Sequence, residues 1–237
     1  MTFGMQSTRL WRAVVAVLVV VGTSGQAVPQ QAASDRAAST AVVTFALDFP
    51  QSQPTHYSIA VDANGHATYE CAVKAEEDSD EQTYRTEFEM TAANRDRIFA
   101  WAKEAKYFSG ALDSGNRKLA FTGAKILSYQ DGLRSATARY NYSNLEPVRQ
   151  LTTLFQNVAG TLDYGRRLTY YHRYQKLGLD EELKRMEEQA KNNELSEIQG
   201  VAPVLQGIVE DSSVINVVRA RARELIQMAS STPGGRQ

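Results

Sequence analysis

Apolar and polar residues alternate along HYSIAVDANGHATYECAV, residues 56–73, on both sides of Ala63, Asn64 and Gly65. That is the pattern of two half-buried strands joined by a tight turn. The register follows from the faces. A two-residue Asn-Gly turn would pair Tyr57, Ile59 and Val61 with Ala72, Glu70 and Thr68, mixing the two faces. A three-residue loop with Gly65 left-handed pairs them with Cys71, Tyr69 and Ala67 and keeps one face apolar, so this register is predicted. It puts Cys71 on the core face opposite Tyr57. It also sets Asp62 beside His66 at the hairpin tip, where turn chemistry is the expected role.

The same alternation predicts strands over 42–49 and over 83–90, where Tyr84, Thr86, Phe88 and Met90 share a face. Between hairpin and strand, KAEEDSDEQ reads as a solvated charge run; it lacks the glycine a calcium-binding EF-hand loop needs. Thr91 is the expected cap of a helix through Phe108 with Ile98, Phe99, Ala102 and Ala105 buried. Strands near AKILSY and SATARYNY should follow, joined by a turn at Asp131-Gly132.

From Ser143 onward the period changes from two to nearly four. Ser143 and Glu146 have capping-box spacing, and Leu151, Phe155, Val158 and Leu162 form a helical stripe. A helix is predicted to run to Leu177, with a bend at Gly160 or Gly165. Gly178 should end it and Asp180 should cap the next, with Glu181 and Glu182 in the first turn where the helix dipole favours acids. Two more helices fit 195–209, with Pro203 as a kink or fresh start, and 214–228. The predicted fold class is α+β: a small antiparallel meander with one helix over 41–142, then a helical hairpin or bundle over 143–230, with a disordered tail over 231–237.

The first 27 residues have the layout of an export signal: Arg9 and Arg12 in front, the apolar run Ala13–Val21, and small residues Gly25 and Ala27 before an expected cut. The protein is therefore expected outside the cytoplasm, periplasmic or extracellular. The apolar run is short for a bilayer span, and membrane attachment is expected only if the segment stays uncleaved. Residues 28–40 read as a flexible linker. Removing Arg9 and Arg12 from 26 basic residues leaves 24 against 27 acidic. That balance argues against a nucleic-acid partner. One cysteine, Cys71, allows no disulfide within the chain, so stability must come from the core.

Candidate chemistry is sparse. GALDSGNRK, residues 110–118, spaces its glycines like a phosphate loop, but Asn116 and Arg117 replace the Lys and Ser/Thr that would hold phosphate and magnesium, and a strand should follow rather than a helix. The histidines, His56, His66 and His172, lack metal-ligand spacing, and neither a metal nor another cofactor is expected. In TLDYGRRLTYYHRYQKLGLDEELKRMEE, residues 161–188, Asp163 stands at ion-pair distance before Arg166 and Arg167, as do Asp180 before Lys184 and Lys184 before Glu188. On a helical wheel Arg166, Tyr170, Arg173 and Tyr174 share one side, while Leu168 and Tyr171 lie nearer the buried stripe. Aromatic rings interleaved with arginines suit cation–π stacking inside a helix pair or onto an anionic ligand.

Two resemblances add to this. LDSGNRKLAFTGAKILSYQDG and TLDYGRRLTYYHRYQKLGLDEELKRMEE, with the exported N-terminus, look like a family of uncharacterised bacterial secreted proteins, a likeness that implies no activity and no site residues. VEDSSVINVVRARARELI is similar to half of a HEAT-type helical repeat, which implies that the last two helices pack as a pair, with Asp211 and Arg219 as partners; a single copy gives no repeat array. The expectation is a noncatalytic envelope or periplasmic protein that binds a protein partner or an anionic surface component through Arg166, Tyr170, Arg173 and Tyr174. The alternative is a secreted hydrolase, which would show two carboxyl groups converging in a deep polar cleft.

Overall fold

The computed structural model describes residues 41–74 and 81–231. The expected export signal and linker, most of the acidic run after Lys74, and residues 232–237 of the expected tail lie outside them.

Period-two alternation builds six strands: β1 (Val42–Asp48), β2 (His56–Asp62), β3 (His66–Lys74), β4 (Glu81–Glu89), β5 (Ala124–Gln130) and β6 (Ser135–Tyr140). They form one antiparallel sheet in the order β4-β3-β2-β1-β5-β6, and the fold is α+β. The hairpin register is the one the alternation demanded, Tyr57 with Cys71, Ile59 with Tyr69 and Val61 with Ala67. Gly65 takes φ +103°, the conformation that closes the three-residue loop. Asp62 Oδ1 accepts from the backbone amides of Asn64, Gly65 and His66, so the acid at the tip does turn chemistry.

Helix α1 (Ala92–Glu104) is capped by Thr91, whose Oγ1 accepts from the Asn94 amide, and it buries Ile98 and Ala102 completely. A short 3-10 turn over Lys106–Phe108 follows. The connection through 109–123 leads into β5, a strand, and Asp113 organises it by accepting from the Gly115 and Asn141 amides.

The helical half comprises α2 (Glu146–Tyr174), α3 (Leu179–Lys191), α4 (Ala202–Glu210) and α5 (Asn216–Ser231). Helix α2 is continuous through Gly160 and Gly165. A Cβ on Gly165 would run into the Val201 side chain, so this glycine permits close approach of the chain that follows α3. Pro203 sits in the first turn of α4 and makes it a fresh start.

Four local expectations are corrected. The Ser143–Glu146 capping box does not form: Leu145 is the N-cap, and Ser143 Oγ accepts from the Leu145 amide. A helix capped at Ser143 would need the N–H of Pro147, which has none. Gly178 is right-handed and stands in a 3-10 turn over Lys176–Gly178; a Cβ there would meet the Tyr171 ring at 2.8 Å. Asp180 lies within the first turn of α3, whose cap is Gly178. Among the described residues Lys184 makes neither expected ion pair; Asp180 faces Arg221 across to α5 at 3.6 Å.

One apolar core runs through both halves. Phe45 of β1 stacks on Phe155 of α2 with ring centroids 5.4 Å apart and planes nearly parallel. Thr152 Oγ1 donates to the Val148 carbonyl and therefore accepts the Tyr140 hydroxyl. The buried carboxylate of Glu197, just before the 3-10 turn Ile198–Val201, reaches back to the N-terminus of α1. There it accepts from the Thr91 amide and hydroxyl and from Asn94. A negative group at unsatisfied helix amides is electrostatically favoured, so this contact fastens the two halves.

Candidate functional site

The C-terminal half of α2 carries all four candidate residues, and packing divides them. Asp163, 6 % exposed, holds Arg166 at 2.8 Å and also pairs with Arg167. Arg167 continues to the buried Glu182 of α3 and stacks its guanidinium over Tyr164 at 4.5 Å. The Arg166 side chain is mostly covered, and its charge opposes the burial that pushes up the Tyr69 hydroxyl and the Cys71 thiol. It is thus a paired residue and does not share the surface of the other three.

Tyr170, Arg173 and Tyr174 do come together on the surface. Tyr170 is half exposed and Tyr174 more so. Their ring centroids lie 5.3 Å apart, Tyr171 packs edge-on against Tyr170, and the Arg173 guanidinium stands 5.4 Å from the Tyr174 centroid. No carboxylate among the described residues pairs with Arg173. Its place in the last turn of α2 is also a favourable one for a cation on the helix dipole.

The turn that follows brings in residues the wheel did not. Leu177 is 99 % exposed. Next to it Lys176 Nζ donates to Asp211 Oδ2 at 2.6 Å and to Ser213 Oγ, and His172 Nε2 meets the same Asp211 oxygen at 3.0 Å. The hydrogen bonds from Lys176, then those from Ser213, hold the Asp211 carboxyl well below the usual carboxylate range. Asp211 is therefore not the partner of Arg219, which donates to Asn216 instead. The cluster ties the end of α2 to the α4–α5 connection, which carries exposed Ile215 and Val217. The apolar Leu177 in an otherwise polar run was the only local signal of this tip; its partners lie 35 or more residues away.

Acids gather elsewhere. A recess of about 440 Å³ on the outer face of the sheet, at the hairpin tip, is lined by Asp62, His66, Glu87 and Glu89 over a floor that includes Ala60, Thr68 and Phe88. It is open: His66 and Glu89 are about 70 % exposed and pair with each other, and Glu87 contacts Arg85 at 3.4 Å. Among the described residues no three His, Cys, Asp or Glu side chains are placed to hold a metal ion. One buried cation, Lys125, donates to the Thr122 hydroxyl and the Asn141 carbonyl, both at 2.9 Å; burial lowers its pKa, and its bonds lock the loop before β5 against the end of β6.

A scan against protein-family models and a search of curated proteins return no match to the chain.

Proposed function

We propose that the protein is an exported, noncatalytic binding module of the cell envelope that engages an anionic partner, a protein or a surface polymer, through Tyr170, Arg173 and Tyr174. The observation that carries this reading is the pair of exposed tyrosine rings with an arginine beside them that no described carboxylate neutralises. Such a surface offers flat amphipathic area and an available positive charge, the composition that binding hot spots favour. Arg166, held by Asp163, is left out of this surface. The acids that gather in the described structure line the hairpin-tip recess. Glu89 is paired with His66, Glu87 touches Arg85 and Asp62 holds the turn amides, which favours the binding reading over a hydrolase.

The test uses the full chain on immobilised dextran sulfate and on envelope extract. Wild type should be retained and released by salt, because exposed charges are screened. Arg173→Ala and the double change Tyr170→Ala, Tyr174→Ala should weaken retention at least about tenfold while leaving the melting temperature nearly unchanged. Retention that survives all three changes would end the proposal.

A further inference from the structure

We infer that the tip formed by Tyr170, Arg173, Tyr174 and Leu177 docks on an anionic lipid bilayer, with Leu177 as the inserting side chain; this deepens the binding reading above and rests on it. Leu177 stands at the middle of a three-residue turn between two helices and is 99 % exposed. A side chain that projects so fully makes the surface convex there, and Leu177 does not line the recess on the sheet. A rigid protein partner would need a matching pocket for one protruding leucine, whereas acyl chains accommodate it without one. In the last turns of α2, just before the leucine in the chain, stand two exposed tyrosine rings, the residue type that concentrates where hydrocarbon meets head groups. Exposed Ile215 and Val217 are tied to the same end through Lys176, Asp211 and Ser213.

The charge at the tip has the sign that phosphate head groups require. Arg173 has no carboxylate partner among the described residues. The acids of the first turn of α3 are answered within the protein: Glu181 pairs with Arg185 at 3.2 Å, Glu182 is buried against Arg167, and Asp180 faces Arg221. Asp211 already holds Lys176 and His172. A second copy of the chain fits poorly, because an isologous tip-to-tip contact would set Arg173 near its own symmetry mate. An exposed apolar side chain with tyrosine rings and one unpaired arginine nearby matches what interfacial attachment to an anionic bilayer uses.

The N-terminal apolar run Ala13–Val21 is present in every full chain, so the measurement has to report on position 177 itself. Leu177→Cys labelled with an environment-sensitive fluorophore serves, since Cys71 is buried and should stay unlabelled in the native protein. On vesicles containing phosphatidylglycerol the probe should shift to the blue and become accessible to lipid-borne quenchers. On phosphatidylcholine alone the response should be several-fold smaller. A probe at Thr83→Cys on the outer face of β4 should stay water-like on both, and adding Arg173→Gln should weaken the response at 177 about fivefold. A probe at 177 that stays water-like on anionic vesicles, or responds no more than the one at Thr83, overturns the inference. If that happens while dextran sulfate still retains the chain through Arg173, the binding reading stands and its partner is not a bilayer. If neither surface is recognised, both fall.

Discussion

The sheet and the helical half bury different chemistry. On the covered face of the sheet the interior is aliphatic and aromatic, Phe45, Ile59, Tyr69 and Leu127 among others, with Lys125 as its one buried charge among the described residues. The helical half buries four carboxylates: Asp163, Glu182, Glu187 and Glu197. The difference lies in geometry. A sheet face collects side chains that all point one way, so a polar residue placed there has few partners. Packed helices present rows of residues to one another, so Asp163, Arg167 and Glu182 can meet across α2 and α3, and Glu187 can meet Arg221 across α3 and α5. The first kind of interior answers to alkali through its buried phenols, the second to acid through its paired carboxylates.

The largest effect should come from breaking what the halves share. Phe155→Ala removes a fully buried ring and its stacking on Phe45, and should cost about 3 to 5 kcal/mol in denaturant unfolding. If both regions belong to one cooperative unit, circular dichroism in the helical band and tyrosine fluorescence should lose their midpoints together.

Asp163→Ala tests the helical half alone. It strands Arg166 and leaves Arg167 with Glu182 alone, and because both guanidinium groups keep some contact with water the loss should be about 2 to 4 kcal/mol, below that of a fully buried pair. The contrast extends to pH. Hydrogen bonds from Lys191, then Arg221, depress the pKa of Glu187 below its usual 4.5. The stability this gives is whole above that value and is lost as pH falls through the lower folded one. Tyr57, Tyr69 and Tyr140 are shifted the other way by burial, above the usual 10. Their contribution is whole below pH 10 and is lost on the alkaline side, where the unfolded chain ionises first. Amide exchange should therefore speed up in α3 and α5 before β2 and β3 in acid, and in the opposite order in alkali. Identical order at both ends would remove the distinction.

Glu197→Ala attacks the joint. The Thr91 amide and hydroxyl and the Asn94 amide group lose their acceptor, and the expected cost is about 1 to 3 kcal/mol, with exchange rising first in the opening turn of α1. Nothing local announces this contact. Glu197 stands 106 residues from Thr91, in a left-handed conformation that a lone glutamate does not advertise.

That contact marks where the sequence stops being readable. The hairpin register, the Thr91 cap and the ion pairs of Asp163 follow from residues a few positions apart, and alternation or helical spacing constrains them. The interior of Cys71 was readable for the same reason. The helix start at Glu146 was misplaced because the serine-to-glutamate spacing outweighed Pro147. The four candidate residues shared a side of the wheel, yet a wheel says nothing about which neighbour covers it. Asp163 took Arg166, while Tyr170, Arg173 and Tyr174 stayed exposed. Leu177 and the Lys176–Asp211–Ser213 cluster depend on how α2 meets the α4–α5 connection, a tertiary fact.

The smallest effect is the sharpest probe of the apolar half. The Tyr69 hydroxyl is buried with the Cys71 thiol, a weak partner, beside it, while its ring packs against Tyr57 and Tyr84 with centroids 6.1 and 6.5 Å away. A buried hydroxyl with only a thiol to bond is a liability, since it leaves water and gains little in exchange. Tyr69→Phe keeps the ring and deletes only that oxygen, so unfolding free energy should stay level or rise by up to about 1 kcal/mol. The alkaline loss of stability should also shrink, because one phenol fewer ionises in the unfolded chain alone. A fall of more than about 1 kcal/mol would show that the hydroxyl has a stronger bonding partner, with an ordered water between Tyr69, Cys71 and Arg166 the first place to look, and the sheet half would then carry a buried polar network of its own.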